Sequence, residues 1–284
     1  MSSLPVIFPA EWGTPPERVE SCGNGAFSTL YSDIGRAFYL RCGPVGGSDG
    51  WTASDSALTI WRLSDLENKL AGQEHGTEWA WLDGAAEEKL WEADARLMRD
   101  EIAERSEKHE STVLCTFLPN HGVAAYQNKR MEVFWEASAS RVPKYWGIIS
   151  LAPTAEYQLE QASVFATWTT NICPPGPRSL ILTRLRVQGG DDLKAMIHQL
   201  MPYCRQHGLE KIEVWNLDKK LSDSACELGG VTFERLERLS LLKFYGRKAE
   251  EWEWVFNEKS VNTVIGKIRS LFTVPLDFAV AKLG

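Results

Sequence analysis

The residues able to carry chemistry are few and scattered. The five histidines, His75, His109, His121, His198 and His207, are dispersed along the chain. His198 and His207 stand nine apart on one expected helix, off the spacing that brings two imidazoles to one metal ion. No Ser-His-Asp order is visible, so neither a hydrolase nor a metalloenzyme is supported, and no metal is expected. The six cysteines, Cys22, Cys42, Cys115, Cys173, Cys204 and Cys226, form no C-x-x-C pair. That is neither a zinc pattern nor a disulfide framework, and reduced thiols in a cytoplasmic protein are the simplest reading. The Gly-rich run Arg186-Val187-Gln188-Gly189-Gly190-Asp191-Asp192 invites comparison with phosphate-cradling turns. Its spacing, counted from Gln188, differs, and two carboxylates stand where an anion would sit. Asp191 or Asp192 reads better as a helix cap. What remains is Tyr39, held in an aromatic pair with Phe38.

Tyr39 belongs to a compact strand–loop–helix pattern, Phe27–Gly43. Phe27, Thr29 and Tyr31 alternate with period two, as on a half-buried strand. Ser32 or Asp33 is placed to cap the helix after it, and Gly35 supplies a backbone angle other residues avoid. Phe38, Tyr39 and Cys42 fall on one side of that helix, which stops at Gly43-Pro44. The local pattern alone leaves Tyr39 either a packing residue or a catalytic one.

Composition sets broader bounds. The 284 residues suit one large or two small domains, with 44% hydrophobic and 24% charged residues. A net charge of −7 without any basic run argues against general nucleic-acid binding. No apolar run approaches the roughly twenty residues of a membrane helix, and no signal segment is visible, so neither membrane nor secretion is expected.

The order of elements predicts a mixed α/β fold. Residues 1–26, rich in Pro, Ser, Glu and Gly, read as a disordered arm. A strand is expected over Thr52–Leu63, then a polar stretch over Leu66–His75. Asp83–Glu110 is the most strongly patterned helix. Trp91, Ala95, Met98 and Ile102 make its inner stripe, Leu90 and Leu97 widen it, and Asp83 caps it. Glu92–Arg96, Glu101–Arg105 and Glu104–Lys108 are spaced for ion pairs on its outer face. Strands are expected at Thr112–Leu118, Tyr145–Leu151 and Ser163–Thr170, with Val123–Tyr126 pairing back. Ser179–Val187, a helix over Leu193–His207 and Lys211–Leu217 form a strand–helix–strand unit, hence a parallel pair with a right-handed crossover. Next come a helix near Ser222–Leu228 and a long strand or hairpin over Phe233–Tyr245.

Several runs in this order resemble the GNAT acetyltransferase superfamily, and in particular the fungal lysine N6-acetyltransferases. They are LYSDIGRAFYLRCG at residues 30–43, FATWT at 165–169, LTRLR at 182–186, VWNL at 214–217, LLKFYG at 241–246 and WVFNEK at 254–259. The resemblance implies a partial GNAT unit over residues 27–82, a connecting helix over 83–110, a C-terminal GNAT-like domain with a central mixed sheet over 111–260, and a divergent tail over 261–284. It implies acetyl transfer from acetyl-CoA to a small amine such as lysine. Tyr39 would protonate the departing thiolate, Leu30, Tyr31 and Ser32 would line the coenzyme, and Trp51 and Trp61 would line the acceptor side. A phenol ionises near about 10, matched to such a thiol. The fourth strand and the R/Q-x-x-G-x-G/A turn of a complete unit find no counterpart before residue 27. Weak coenzyme binding is therefore expected, together with self-association through the open edge of the Phe27–Tyr31 strand. The alternative is a non-catalytic, GNAT-derived binding or structural protein.

Overall fold

The computed structural model describes residues 27–42, 50–53, 56–70, 76–108, 112–138, 141–151, 163–173, 176–244, 251–256 and 278–281. The expectations for residues 1–26 and for most of the tail lie outside these. Two compact units are present: residues 1–55 with 235–252, and residues 56–234 with 253–284.

The first unit is a three-stranded sheet with one short helix. Strand β1 (Phe27–Ser32) pairs antiparallel with β11 (Leu239–Phe244) over its whole length, from Phe27 opposite Phe244 to Ser32 opposite Leu239. Strand β2 (Thr52–Ala53) takes the other side of β11. This draws the C-terminal part of the expected Phe233–Tyr245 hairpin into the sheet of residue 27. The chain turns at Arg238, which adopts φ 52°. The backbone N–H of Arg238 donates to Asp33 Oδ1 at 2.8 Å, so Asp33 ties two loops together and caps no helix. Helix α1 (Arg36–Leu40) has only five residues and buries none of them. The expected helix to Gly43 is thus much shorter, and Phe38, Leu40 and Cys42 are exposed, so little burial supports it.

The second unit is built on a seven-stranded mixed sheet. Its strands are β3 (Ala57–Arg62), β4 (Glu78–Leu82), β6 (Gly147–Leu151), β7 (Phe165–Asn171), β8 (Ser179–Arg186), β9 (Lys211–Trp215) and β10 (Val231–Glu234), in the order β10-β3-β9-β8-β7-β6-β4. The expected parallel pair is β8 with β9, from Ser179 opposite Lys211 to Leu182 opposite Val214. Every other neighbouring pair in this sheet is antiparallel. Helix α5 (Gly190–Gln206) crosses between β8 and β9, and Leu193, Ile197, Leu200 and Cys204 bury their stripe against Leu180, Leu182, Ile212 and Val214. Gly208, at φ +60°, ends it as a left-handed cap. Helix α6 (Ser222–Glu227) comes after β9.

On the other face lies α3 (Gly84–Lys108), whose Leu90 packs with Leu82, Ile149 and Phe165. Asp83 Oδ1 accepts from the Ala86 N–H at 3.2 Å, as its capping position predicts. Trp91, Ala95, Met98 and Ile102 are buried, whereas Leu97 is exposed and does not widen the stripe. Of the three expected ion pairs, Glu104–Lys108 forms. Glu92 instead accepts from Asn120, and Glu101 turns to Arg186. Strand β5 (Thr112–Phe117) forms a separate sheet, between β12 (Glu251–Trp254) and β13 (Phe278–Ala281).

Two expectations here are corrected. Val123–Tyr126 is not a strand: helix α4 (Val123–Ala137) runs through it and through Val133–Trp135, entered from Gly122 at φ 84°. Met131 and Trp135, one turn apart, supply its buried side. The polar stretch after residue 63 begins as helix α2 (Leu63–Leu70), because Leu63, Leu66 and Leu70 lie on one buried face.

Candidate functional site

In the first unit the chain around Tyr39 is shaped by Gly50. The Gly50 N–H donates to the Leu40 carbonyl at 2.9 Å, and the Trp51 N–H donates to the Tyr39 carbonyl at 3.0 Å. These bonds satisfy the Leu40 carbonyl and add a second donor to the Tyr39 carbonyl, which also accepts from the Cys42 N–H at 3.1 Å. A side chain at position 50 would overlap the Tyr39 and Leu40 carbonyls, so this approach needs glycine. The result sets Trp51 edge-on to Tyr39, ring centroids 6.3 Å apart, with Phe38 edge-on at 5.0 Å. Lys243 of β11 lies over the Trp51 ring at 5.9 Å. The Tyr39 hydroxyl has no hydrogen-bond partner among the described residues, and the buried Trp51 Nε1–H likewise has none. A phenol and an indole N–H, both without a partner among the described residues, thus belong to adjoining rings, one of which also meets the Lys243 ammonium. Donors of this kind can hydrogen-bond an anionic group.

Of the other sequence candidates, Leu30, Tyr31 and Ser32 share this unit on β1. Tyr31 and Ser32 are buried, and Ser32 Oγ accepts from the Ile34 N–H at 3.0 Å, which braces the turn into α1. Trp61 lies apart, in the core of the second unit. It is 0% exposed and its Nε1 donates to the Ala225 carbonyl at 3.1 Å, so it is a packing residue with no surface to offer an acceptor.

The second unit holds polar groups that the sequence did not reveal. Between Trp168 opposite Leu182 and Thr167 opposite Arg184 the β7–β8 register slips, leaving Thr183 as a bulge. The slip turns Arg184 and Arg186 toward α3, where Asp94 is enclosed. Arg184 Nε donates to Asp94 Oδ2 at 2.6 Å, and Arg186 Nη2 donates to Asp94 Oδ1 at 2.8 Å. Burial alone would raise the Asp94 pKa, but the guanidiniums of Arg184 and Arg186 hold it below the usual carboxylate range. Glu87, one turn into α3, is the contrary case. Its Oε2 accepts from Asn128 Nδ2 at 3.3 Å while Oε1 has no partner, and burial pushes the carboxyl up to about 9. Asp94 sits one position from the apolar stripe, and nothing in the linear sequence links it to residues 184 and 186. Among the described residues no three His, Cys, Asp or Glu side chains gather as metal ligands.

The parallel β8–β9 pair, and the helix that opens after β8, are set out in the order that the sequence runs suggested. The model of the LYC1 GNAT-like C-terminal domain matches residues 64–262. The chain belongs to that family. Two solved structures are similar to this GNAT-like chain. A GCN5-related N-acetyltransferase from Anabaena variabilis is 10% identical with TM-score 0.40, covering 77% of this chain and 46% of its own. A GCN5-related N-acetyltransferase from Sphaerobacter thermophilus is 10% identical with TM-score 0.37, covering 83% of this chain and 62% of its own. The chain therefore spans about half to three-fifths of their lengths. No curated protein matches it in sequence.

GNAT folds generally bind acetyl-CoA, and the turn after β8 is where a pyrophosphate would meet a helix N-terminus. Counted from Arg186, the turn has R-x-x-G spacing through Gly189, with Asp191 in the last place of the motif. The residues present do not fit the group. The Gln188 N–H is taken by Asp192 Oδ2 at 2.9 Å. A methyl group on Gly190 would overlap Ser224 Oγ, so α6 closes directly on the start of α5. Asp191 and Asp192 add two negative charges in the first helical turn. Neither is the N-cap, which is Gly189 without a side-chain bond. In the first unit, by contrast, β1 has β11 on one side and no strand on the other among the described residues. An amide-bearing chain can pair with such an edge.

Proposed function

We propose that this chain serves acetyl transfer from acetyl-CoA to a small amine such as lysine, with Tyr39 as the proton donor to the departing thiolate. Leu30, Tyr31 and Ser32 contribute the strand edge beside the coenzyme's amides, and Trp51 borders the reacting groups. The second unit is, in this reading, a GNAT-like scaffold that does not grip the pyrophosphate. The observation that carries the proposal is the Tyr39 hydroxyl, unengaged by described residues, on a ring set edge-on to Trp51, whose other contact is Lys243. Family membership and the likeness to fungal lysine N6-acetyltransferases supply the reaction class.

A second reading, a non-catalytic GNAT-derived protein, is favoured by the closed turn at Gly190 and Ser224. Calorimetric titration with acetyl-CoA, then turnover assays with free lysine, separates the two. Under the first reading acetyl-lysine forms and Tyr39→Phe slows it roughly a hundredfold or more, as loss of a general acid does. Absence of both binding and turnover in the folded chain leaves the non-catalytic reading standing.

A further inference from the structure

At the opposite end of β8 from the Gly-rich turn, a half-buried arginine has no counter-ion among the described residues. Arg178 lies just before β8, with its guanidinium carbon 4.8 Å from the centre of the Trp135 ring. Its Nε is buried without a hydrogen-bond partner, and no carboxylate pairs with it among the described residues. The neighbouring acid, Glu210, accepts instead from the Arg178 backbone N–H at 3.1 Å. Nor do the last carbonyls of α5 supply the balance. Those of Tyr203, Cys204 and Arg205 accept from the N–H groups of His207, Leu209 and Gly208. His207 borders the same ground, 5.9 Å from Trp135 and 4.5 Å from Tyr203, ring to ring. Burial, then the charges of Arg141 and Arg178, hold its pKa below the usual imidazole value. A cationic spot of this kind is unusual in a chain of net charge −7.

We propose that Arg178 and His207 form a binding site for a phosphate group, floored by Trp135, with the charge of the exposed Arg141 close by. A guanidinium is suited to phosphate oxygens, and its contact with Trp135 holds it in place. The neutral imidazole donates one N–H and takes up a proton as the dianion arrives. The site is independent of Tyr39 and of acyl transfer.

The test is an NMR titration of the full chain with inorganic phosphate, monitoring the His207 ring resonances, with chloride at matched ionic strength as reference. The expected result is a saturable shift and a raised His207 pKa. Arg178→Gln should weaken the affinity roughly tenfold or more, as loss of a charge-assisted bond does. If Arg178→Gln does not fold, the exposed Arg141→Gln decides, with roughly threefold weakening expected. A His207 signal indifferent to phosphate, or an affinity unchanged in the folded Arg178→Gln or Arg141→Gln chain, overturns the proposal.

Discussion

Replacing Glu87 with glutamine should stabilise this protein increasingly as the pH rises. Glu87 is 1% exposed, and its carboxyl is pushed up to about 9, chiefly by burial. The Asn128 hydrogen bond opposes the shift, and the charges of Asp83 and Glu132 add to it. At pH 7 the folded chain therefore holds Glu87 neutral, while the unfolded chain ionises it near 4.5. A group whose folded pKa is raised gives its full stability below the unfolded pKa and loses it as pH rises toward the folded value. Taking up the proton at pH 7 costs about 1.36 × 2.5, or about 3.4 kcal/mol. That figure depends on the unfolded value alone, provided the folded value lies well above 7. Glutamine keeps an oxygen for Asn128 and carries no such cost. It brings one N–H more than the carboxylic acid, an offset of about 1–3 kcal/mol if unpaired. The offset does not vary with pH, so the slope is the cleaner quantity. The stability difference, Glu87→Gln minus parent, should grow by about 1.4 kcal/mol per pH unit between roughly pH 5 and 8. Urea denaturation at pH 5, 6, 7 and 8 measures it. Parallel stability profiles for the two proteins would refute the reasoning.

Three further outcomes are expected. Trp91→Ala should cost about 3–5 kcal/mol against about ±0.5 for Glu88→Ala on the exposed face of the same helix, and equal denaturant midpoints would overturn the assigned faces. Asp94→Asn leaves the buried Arg184 guanidinium without its carboxylate, while Arg186 keeps Glu101, and should cost about 3–5 kcal/mol. Because the folded pKa of Asp94 is depressed, its stabilisation is present above the unfolded value and lost as pH falls through the folded one, so parent and variant should converge in acid. The open edge of β1 should promote association, read by sedimentation velocity as a concentration-dependent rise in size that Thr29→Pro suppresses.

Much of the local structure is legible in the sequence. The apolar stripes of α3 and α5, the glycine stop after α5, and the alternation in β7, β8 and β9 each arise from spacing within one segment. Helix α4 resembles a strand in sequence because its first four residues are a short apolar run, where periodicity cannot separate strand from helix. The candidate site is half legible. Tyr39 and Trp51 do meet, but the bridge is Gly50, whose role appears only when its neighbours' carbonyls are in place. Trp61 looks equivalent to Trp51 in sequence and is core in the structure.

The sequence by itself determined most of the helices and strands, the parallel crossover at β8–α5–β9, and the family resemblance, because all rest on local periodicity and short runs of residue types. Only the tertiary structure decided what the polar residues do. Long-range pairing took β11 from its neighbour β10 into the sheet of β1, a bulge at Thr183 aimed two arginines at Asp94, and burial separated Asp94, charged and paired, from Glu87, neutral and half-satisfied. Two carboxylates seven residues apart on one helix have the same chemistry in the sequence. Their environments, made by residues 41 to 92 positions away, gave them opposite protonation states.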